Sequence, residues 1–372
     1  MDSLSYHSLS ENIDSVAQYD IFNKKVFGCA YFVYHDGKAI EKCYGTVSPC
    51  SNVPVTNTTV FRLASMTKPI TTVAAMILVE RGLLSLDDTV DKFLPEFKNI
   101  KIVDIEGNVS VPKRMPTVKN ILTHSSGIGS YMGKMKYMTS DDKITLDSAI
   151  EFYLRLGLDF EPGSMQKYSG IAAFDVLTKI IELVSKTDFL QFLNKEIFEP
   201  CGMCDTTFIP SMQQRERIIE MHDRVNGENA TFKLPDNCVF YDIPCTHYLG
   251  GAGLVSTLQD YCKFAKMLLN YGQAENKRIL KEETVRLMSA PHFHKAHNEF
   301  WGLGMRVIGE NARSCLPQGS FGWSGAYGSH FWIDPSNNLF AIFMKNSSVD
   351  GGAANESAKN FENAVYSSFV AE

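Results

Sequence analysis

A serine followed three residues later by a lysine is the first spacing in this chain that can do chemistry. On a helix, residues three apart share a face, so the amine comes to lie beside the hydroxyl. A lysine held in an apolar setting loses proton affinity and can then take the serine proton. The pattern occurs four times, at Ser65–Lys68, Ser110–Lys113, Ser140–Lys143 and Ser164–Lys167. The flanking residues separate the four. Ser110 is followed by Pro112 in a loop, Ser140 heads the polar "SDDK" and caps a turn, and Ser164 follows Pro162-Gly163. Only Ser65 opens a long apolar-periodic stretch, with Ile70, Val73, Ala74, Ile77 and Leu78 at helical spacing, Pro69 in the first turn and Gly82 at the stop. A helix N-terminus there would add free N–H groups and positive potential at the serine. This segment alone leaves an N-cap serine with a solvated lysine as an equal alternative.

Other stretches compete for attention. "EPGSMQKYSG" (161–170) is a turn that delivers Tyr168 to the start of a helix, where its hydroxyl can face a cleft, although a packing aromatic is the commoner role. In "FGWSGAYGSHFWIDP" (321–335), Gly325 and Gly328 allow close backbone approach beside a pocket. "GWSGA" misses the nucleophile elbow Gly-x-Ser-x-Gly at Ala326, and a strand rather than a helix follows. "GGAGLVST" (250–257) lacks the Gly-Lys-Ser/Thr of a phosphate loop and reads as a tight turn into a helix. Cys201-x-x-Cys204, with Cys238 and Cys245 downstream, is a rival zinc or redox site. The downstream spacing is wrong for zinc, and no βαβ context surrounds the first pair.

The elements that must position these residues follow from the patterning. Asp36-Gly37 between two β-prone runs (26–45) signals a hairpin. From about 87 to 245 the chain is mostly helix and loop, with helices at 147–157, 171–185 and 189–200, and loops or one irregular hairpin each in "EGNVSVPKRMP" and "VNGENATFKLPDNC". A helix capped by Ser256 or Thr257 runs toward Gly272. "WGLGMRVI", "GSHFWID" and "LFAIFMKNS" are β-prone runs, and a last helix runs from about Glu356 to Phe369. Strands near both ends and helices between them predict an α+β fold. Its antiparallel sheet is built from both ends of the chain and flanked by terminal helices, with a mostly helical insertion beside a cleft. The expected division is an α/β unit from residues 1–86 and 246–372 and a helical unit from 87–245.

Bulk composition narrows the function classes. The chain has 372 residues, 44% hydrophobic, with 36 basic against 42 acidic side chains and a net charge of −6. No basic face recommends a nucleic-acid partner. No apolar run reaches the ~18 residues of a membrane span. The first residues, "MDSLSYHSLSENIDSV", lack the charged and apolar regions of a secretory signal, so a cytoplasmic location is expected and the nine scattered cysteines are expected to be reduced. No cofactor or metal is expected, and a zinc or redox protein using Cys201 and Cys204 is the weakest of the readings.

Taken in order, Ser65-Met-Thr-Lys68, "LTHSSGI" (122–128), Tyr168-Ser-Gly, "GGAGLVSTLQDYCKFAKMLL" (250–269) and Trp323-Ser-Gly resemble the serine β-lactamase-like hydrolases, the class C-like esterase branch above all. The resemblance spans about residues 20–370. It implies that Ser65 is the acylated nucleophile, Lys68 its partner base and Tyr168 the proton shuttle. It places Trp323, Ser324 and Gly325 on the substrate-binding strand, with the Ser65 and Ala326 N–H groups as the oxyanion hole. Whether Lys68 or Tyr168 takes the Ser65 proton stays open. The family's Phe-x-Pro-Leu-Gly-Met-x-Asp-Thr segment also absorbs Cys201 and Cys204 as packing substitutions.

Two departures bear on substrate. Gly170 replaces the asparagine of Tyr-x-Asn, whose amide would bond the lysine and a substrate amide. Trp323 replaces the lysine of Lys-Thr-Gly, removing a cation that holds a β-lactam carboxylate and favouring neutral, apolar groups. The resemblance therefore implies a carboxylesterase with weak β-lactamase activity, acting on a small-molecule ester, amide or β-lactam. The same machinery in a β-lactamase, an amidase or a D-amino-acid peptidase is the runner-up. A penicillin-binding-like protein with little turnover is the alternative of another class. Specificity is expected in the loops at 130–138 and 226–247.

Overall fold

The computed structural model describes residues 5–130, 145–232 and 247–369. Helix α1 (Tyr6–Phe22) starts at Ser5, whose Oγ accepts from the Ser8 N–H, and it buries Leu9, Ile13 and Ala17 at a spacing of four. Strands β1 (Gly28–His35) and β2 (Lys38–Gly45) form the expected hairpin, with Asp36 and Gly37 both at positive φ (46° and 83°) as a primed turn requires. Strand β3 (Val60–Arg62) leads through a 3-10 turn (Ala64–Met66) into α2 (Thr67–Glu80). Every residue of α2 from Thr67 to Leu78 is buried, so this helix is a central pillar rather than an amphipathic one.

The middle of the chain holds α3 (Val90–Phe93), a short hairpin of β4 (Ile102–Val103) and β5 (Val109–Ser110), α4 (Val118–Leu122), α5 (Leu146–Leu156) and α6 (Ala172–Ser185). The helix expected at 189–200 is broken: α7 (Phe189–Leu193), a π-helical turn at Asn194–Phe198, then α8 (Glu199–Cys201) with Pro200 in its first turn. After α9 (Met212–Arg215), β6 (His222–Val225) and β7 (Glu228–Thr231) form a regular hairpin about Asn226-Gly227, where the sequence reading expects a loop or an irregular hairpin.

Strand β8 (Val255–Thr257) pairs antiparallel with β3 and runs into α10 (Leu258–Leu269), with Thr257 as its N-cap. Helix α11 (Glu282–Met288) follows. Strands β9 (Phe293–His294), β10 (Glu299–Trp301), β11 (Arg306–Ile308), β12 (Phe321–Ser324), β13 (His330–Asp334) and β14 (Leu339–Met344) precede α12 (Glu356–Ser367). "WGLGMRVI" is two strands rather than one, because Gly304 turns the chain at φ 70° and a Cβ there would meet Thr72 Oγ1 at 1.9 Å.

The main sheet has eight antiparallel strands in the order β2-β1-β14-β13-β12-β11-β10-β9. Its α+β architecture is the one expected. On one face the terminal helices cover Tyr31, Val33, Trp332 and Phe343 with Leu9, Ile13, Phe361 and Val365. On the other, Phe331, Ile333 and Ile342 join a core that includes Ile70 and Val73 of α2 and Phe264 and Leu268 of α10. The alternation of side chains along β13 and β14 divides the two cores. Among the described residues no helix is long and apolar enough to cross a membrane.

Candidate active site

Three elements meet at Ser65. The β3–β8 pairing holds the strand before it, reinforced by Leu63 N–H to Leu254 O at 2.9 Å. Ala64 adopts φ 45°, a left-handed conformation that costs an alanine on the order of 1 kcal/mol and turns the chain sharply before the serine. The start of α2 is anchored by the Tyr261 hydroxyl, which donates to Met66 O at 2.9 Å, and by Leu254 N–H, which donates to Thr67 Oγ1 at 3.2 Å.

Lys68 is fully buried one turn on. Its Nζ lies 3.3 Å from Ser65 Oγ, 2.7 Å from Gly170 O and 2.8 Å from Gly251 O. The rings of Tyr168 and Phe174 flank it at 5.0 and 5.1 Å. The Tyr168 hydroxyl donates to Ser65 Oγ at 2.8 Å and accepts from Trp323 Nε1–H at 3.2 Å. Trp301 stacks on the Tyr168 ring at 5.8 Å and 18°.

Three residues here carry no site role that the sequence alone shows. Gly251, in the segment read as a plain turn, supplies a carbonyl to Lys68, and a Cβ there would sit 3.1 Å from Nζ. The paired glycines at 250–251 are the available signal. The backbone carbonyls of Gly170 and Gly251 thus hold the amine that the missing asparagine side chain was expected to hold. Trp301 lies in a run that the sequence marks only as β-prone. His124, within "LTHSSGI", packs 4.5 Å from the Tyr168 ring and 4.4 Å from Trp301, and its Nδ1 accepts from Ser169 N–H at 3.2 Å. Burial and the nearby Lys68 hold its imidazole well below the usual range, so it stays neutral.

The end of β12 abuts Ser65 because residue 325 is glycine: a Cβ there would lie 2.5 Å from Leu63 O. Ala326 is exposed beyond it, and its N–H has no hydrogen-bond partner among the described residues. Ser65, Tyr168, Trp301, Trp323, Ser324, Gly325 and Ala326 line one cavity of about 530 Å³. Lys167 and Lys295 line it too, so Trp323 does not leave the cleft without cations; Lys295 is paired to Glu299 at 3.0 Å.

The rival candidates lie elsewhere or form no comparable site. Ser110 and Ser164 are exposed, the latter donating to Glu161 O at 2.7 Å within a turn. Cys201 and Cys204 are free thiols, and burial pushes Cys201 up to about 12, away from the thiolate of a reactive redox cysteine. Among the described residues no three metal-ligating side chains converge. Ser140, Cys238, Cys245 and the loop residues 131–138 and 233–246 lie outside the described residues.

This arrangement brings together a serine, an amine and a phenol inside one cleft, the parts needed for acyl transfer. Comparison with known proteins identifies the family. The chain is 30% identical over 339 residues to Protein Rv1367c of Mycobacterium tuberculosis, covering 82% of each. It is 26% identical over 381 residues to Esterase EstB of Burkholderia gladioli, covering 94% of this chain and 93% of that one. The solved structure of EstCE1, a hydrolase with promiscuous acyltransferase activity, superposes with a TM-score of 0.82 at 23% identity, over 97% of this chain and 99% of that one. The Beta-lactamase family profile matches residues 13–362, nearly the whole length, and the chain belongs to the β-lactamase family.

Proposed function

We propose that this protein is a serine carboxylesterase that works through an acyl-enzyme on Ser65. The observation that carries the reading is the double contact of Ser65 Oγ, with Tyr168 Oη at 2.8 Å and Lys68 Nζ at 3.3 Å. Two N–H groups of Lys68 go to the Gly170 and Gly251 carbonyls. The remaining Nζ position faces Ser65, and in the neutral amine that position is a lone pair.

Attack on the ester carbonyl then moves the Ser65 proton to Lys68. The Ser65 and Ala326 N–H groups receive the oxyanion. As the tetrahedral adduct collapses, Tyr168 gives its proton to the leaving alkoxide. The acyl-enzyme is left with a Lys68 ammonium and a Tyr168 phenolate, the latter bonded by the Trp323 N–H. Water reverses the order: its proton goes to Tyr168, and Ser65 recovers its own from Lys68 as the acid departs. Protons balance, and ester plus water becomes acid plus alcohol.

Trp301 and Trp323 give the cleft apolar walls that suit a neutral acyl or alcohol group. Together with Trp323 at the lysine position, this favours esters over β-lactams. The test compares wild type with Ser65→Ala on p-nitrophenyl butyrate, nitrocefin and a fluorophosphonate. Ester turnover and labelling of Ser65, both lost in Ser65→Ala, with slow nitrocefin hydrolysis, is the expected result. Turnover that survives Ser65→Ala overturns the reading. Labelling of Ser65 without turnover would replace it with a penicillin-binding-like protein.

A further inference from the structure

The turn that carries the Ala326 N–H has each of its carbonyls occupied. Gly325 O accepts from Gly328 N–H at 3.0 Å, Ala326 O from Gly352 N–H at 2.9 Å, Tyr327 O from Ser347 N–H at 3.0 Å and Gly328 O from Asn355 Nδ2 at 3.2 Å. In a trans peptide the carbonyl and the N–H point opposite ways. Gly325 O and the Ala326 N–H share one peptide. A Gly325 carbonyl drawn into the turn therefore aims that N–H out of it, where Gly325 and Ala326 line the Ser65 cleft.

Apart from Gly328 N–H, these donors come from one segment, 347–355. It fits the turn closely: a Cβ at Gly351 would lie 2.4 Å from Ala326 O. Asn355, 7% exposed, closes the joint. Its Nδ2 donates to Gly328 O and also to Gly352 O at 2.8 Å, and its Oδ1 accepts from Ala358 N–H at 2.9 Å as the N-cap of α12. Nδ2 faces two carbonyls and Oδ1 faces an N–H, so the amide sits one way round only. The side chain joins the turn, the residue that donates to Ala326 O, and the start of α12. The segment has a second anchor at Asp350, whose carboxylate accepts from Glu356 N–H at 3.0 Å, Ser357 N–H at 3.1 Å and Lys345 Nζ at 2.7 Å.

We propose that Asn355 is a positioning residue for the oxyanion hole: its amide locks the 325–328 turn onto the 347–355 segment and keeps the Ala326 N–H aimed at the reacting carbonyl. This rests on the esterase reading above. A donor speeds the reaction only where it meets the charge that develops in the transition state. A turn free to rock therefore loses rate without losing ground-state binding.

The test separates the helix cap from the amide donor. Asn355→Ser keeps an N-cap oxygen for α12 but lacks the amide that holds Gly328 O and Gly352 O. Its kcat for p-nitrophenyl butyrate should fall about tenfold or more at little changed KM. The specific readout is a pair of ketones. Octyl trifluoromethyl ketone adds to a nucleophilic serine: the bond from Ser65 Oγ to carbon forms, the carbonyl π bond opens onto oxygen, and the serine proton passes to Lys68, leaving an oxyanion in the hole. Octyl methyl ketone binds without that adduct. In Asn355→Ser, affinity for the first should fall by the same factor as kcat/KM, and affinity for the second should stay within about twofold. Lys167 and Lys295 line the same cleft and are left in place, so the change reports the N–H rather than the charge of the cleft. Asn355→Ala should show the same losses and a lower denaturant midpoint, from the missing cap. A purely structural role lowers only that midpoint and leaves kcat and both ketones within about twofold of wild type in Asn355→Ser, which overturns the proposal. Equal losses for the two ketones overturn it as well, as does a wild type that binds the trifluoromethyl ketone no better than the methyl ketone. If Asn355→Ser does not fold by circular dichroism, Gly351→Ala carries the test with the same outcomes, because its methyl group presses on Ala326 O at the same joint. A Ser65→Ala control separates the two levels: turnover retained there defeats the esterase reading, whereas turnover lost there with Asn355→Ser unmoved defeats only this inference.

Discussion

The indole N–H of Trp323 donates to the Tyr168 hydroxyl oxygen at 3.2 Å, while that hydroxyl donates to Ser65 Oγ at 2.8 Å. Trp323 therefore contacts the tyrosine through a neutral donor. In the proposed cycle this bond matters most when Tyr168 is a phenolate, since hydrogen bonds to charged groups are worth about 1.5–3 kcal/mol.

Trp323→Phe should lower kcat for p-nitrophenyl butyrate by about tenfold or more, within that energy range. KM should change less, because the ring still fills the wall. Steady-state kinetics at fixed pH checks the split. An unchanged kcat would remove Trp323 from the proton relay.

Lys68→Arg should fail as a base, because a guanidinium stays charged and presents no lone pair. The expected loss in kcat is about a hundredfold or more, the range of a general base. Stopped-flow acylation with p-nitrophenyl butyrate would show a slowed burst phase. A burst of wild-type speed would move the base role to Tyr168.

Gly251→Ala places a Cβ 3.1 Å from Lys68 Nζ, 3.1 Å from Gly170 O and 3.2 Å from Phe174 Cβ. The amine must shift away from its two carbonyls. Activity should fall more steeply than stability, whose loss is about 1–3 kcal/mol for a tight overpacking. Parallel measurements of kcat and denaturant midpoint test this ordering.

Lys345 is fully buried and pairs with Asp350 at 2.7 Å. Burial pushes the Asp350 carboxyl up, but Lys345 and Ser357 outweigh it and bring it down to about 2. A depressed carboxylate contributes stability above its unfolded value of 3.8, and that contribution is lost as pH falls toward about 2. Asp350→Asn should cost about 3 kcal/mol near neutrality, because it leaves a buried cation unpaired. It should also flatten the acid limb of the stability curve between pH 4 and 2. Denaturant melts across that window measure both effects.

Local signals carried a good deal of the fold. The Asp36-Gly37 turn and the apolar period after Ser65 act within a few residues and each appears in the structure, as does the cap expected at Ser256 or Thr257, which falls on Thr257. The breaks were harder to read. The π-helical turn at Asn194–Phe198 and the split of "WGLGMRVI" at Gly304 depend on what packs against them, Thr72 in the second case. The all-round burial of α2 likewise comes from neighbours on every side.

For the candidate site, the sequence by itself determined which serine stood at the head of an apolar helix, and that Lys68 would lie on its face, because helical geometry is local. It also determined that Tyr168 and Trp323 followed in family order. The tertiary structure alone decided that carbonyls from Gly170 and Gly251, 102 and 183 residues away from Lys68, would hold its amine. It alone placed Trp301 and His124 around Tyr168 and tied the turn at Ala326 through Asn355 to α12. Carbonyl direction and ring packing are set by contacts between distant segments, and a residue's type does not encode where its backbone oxygen will point.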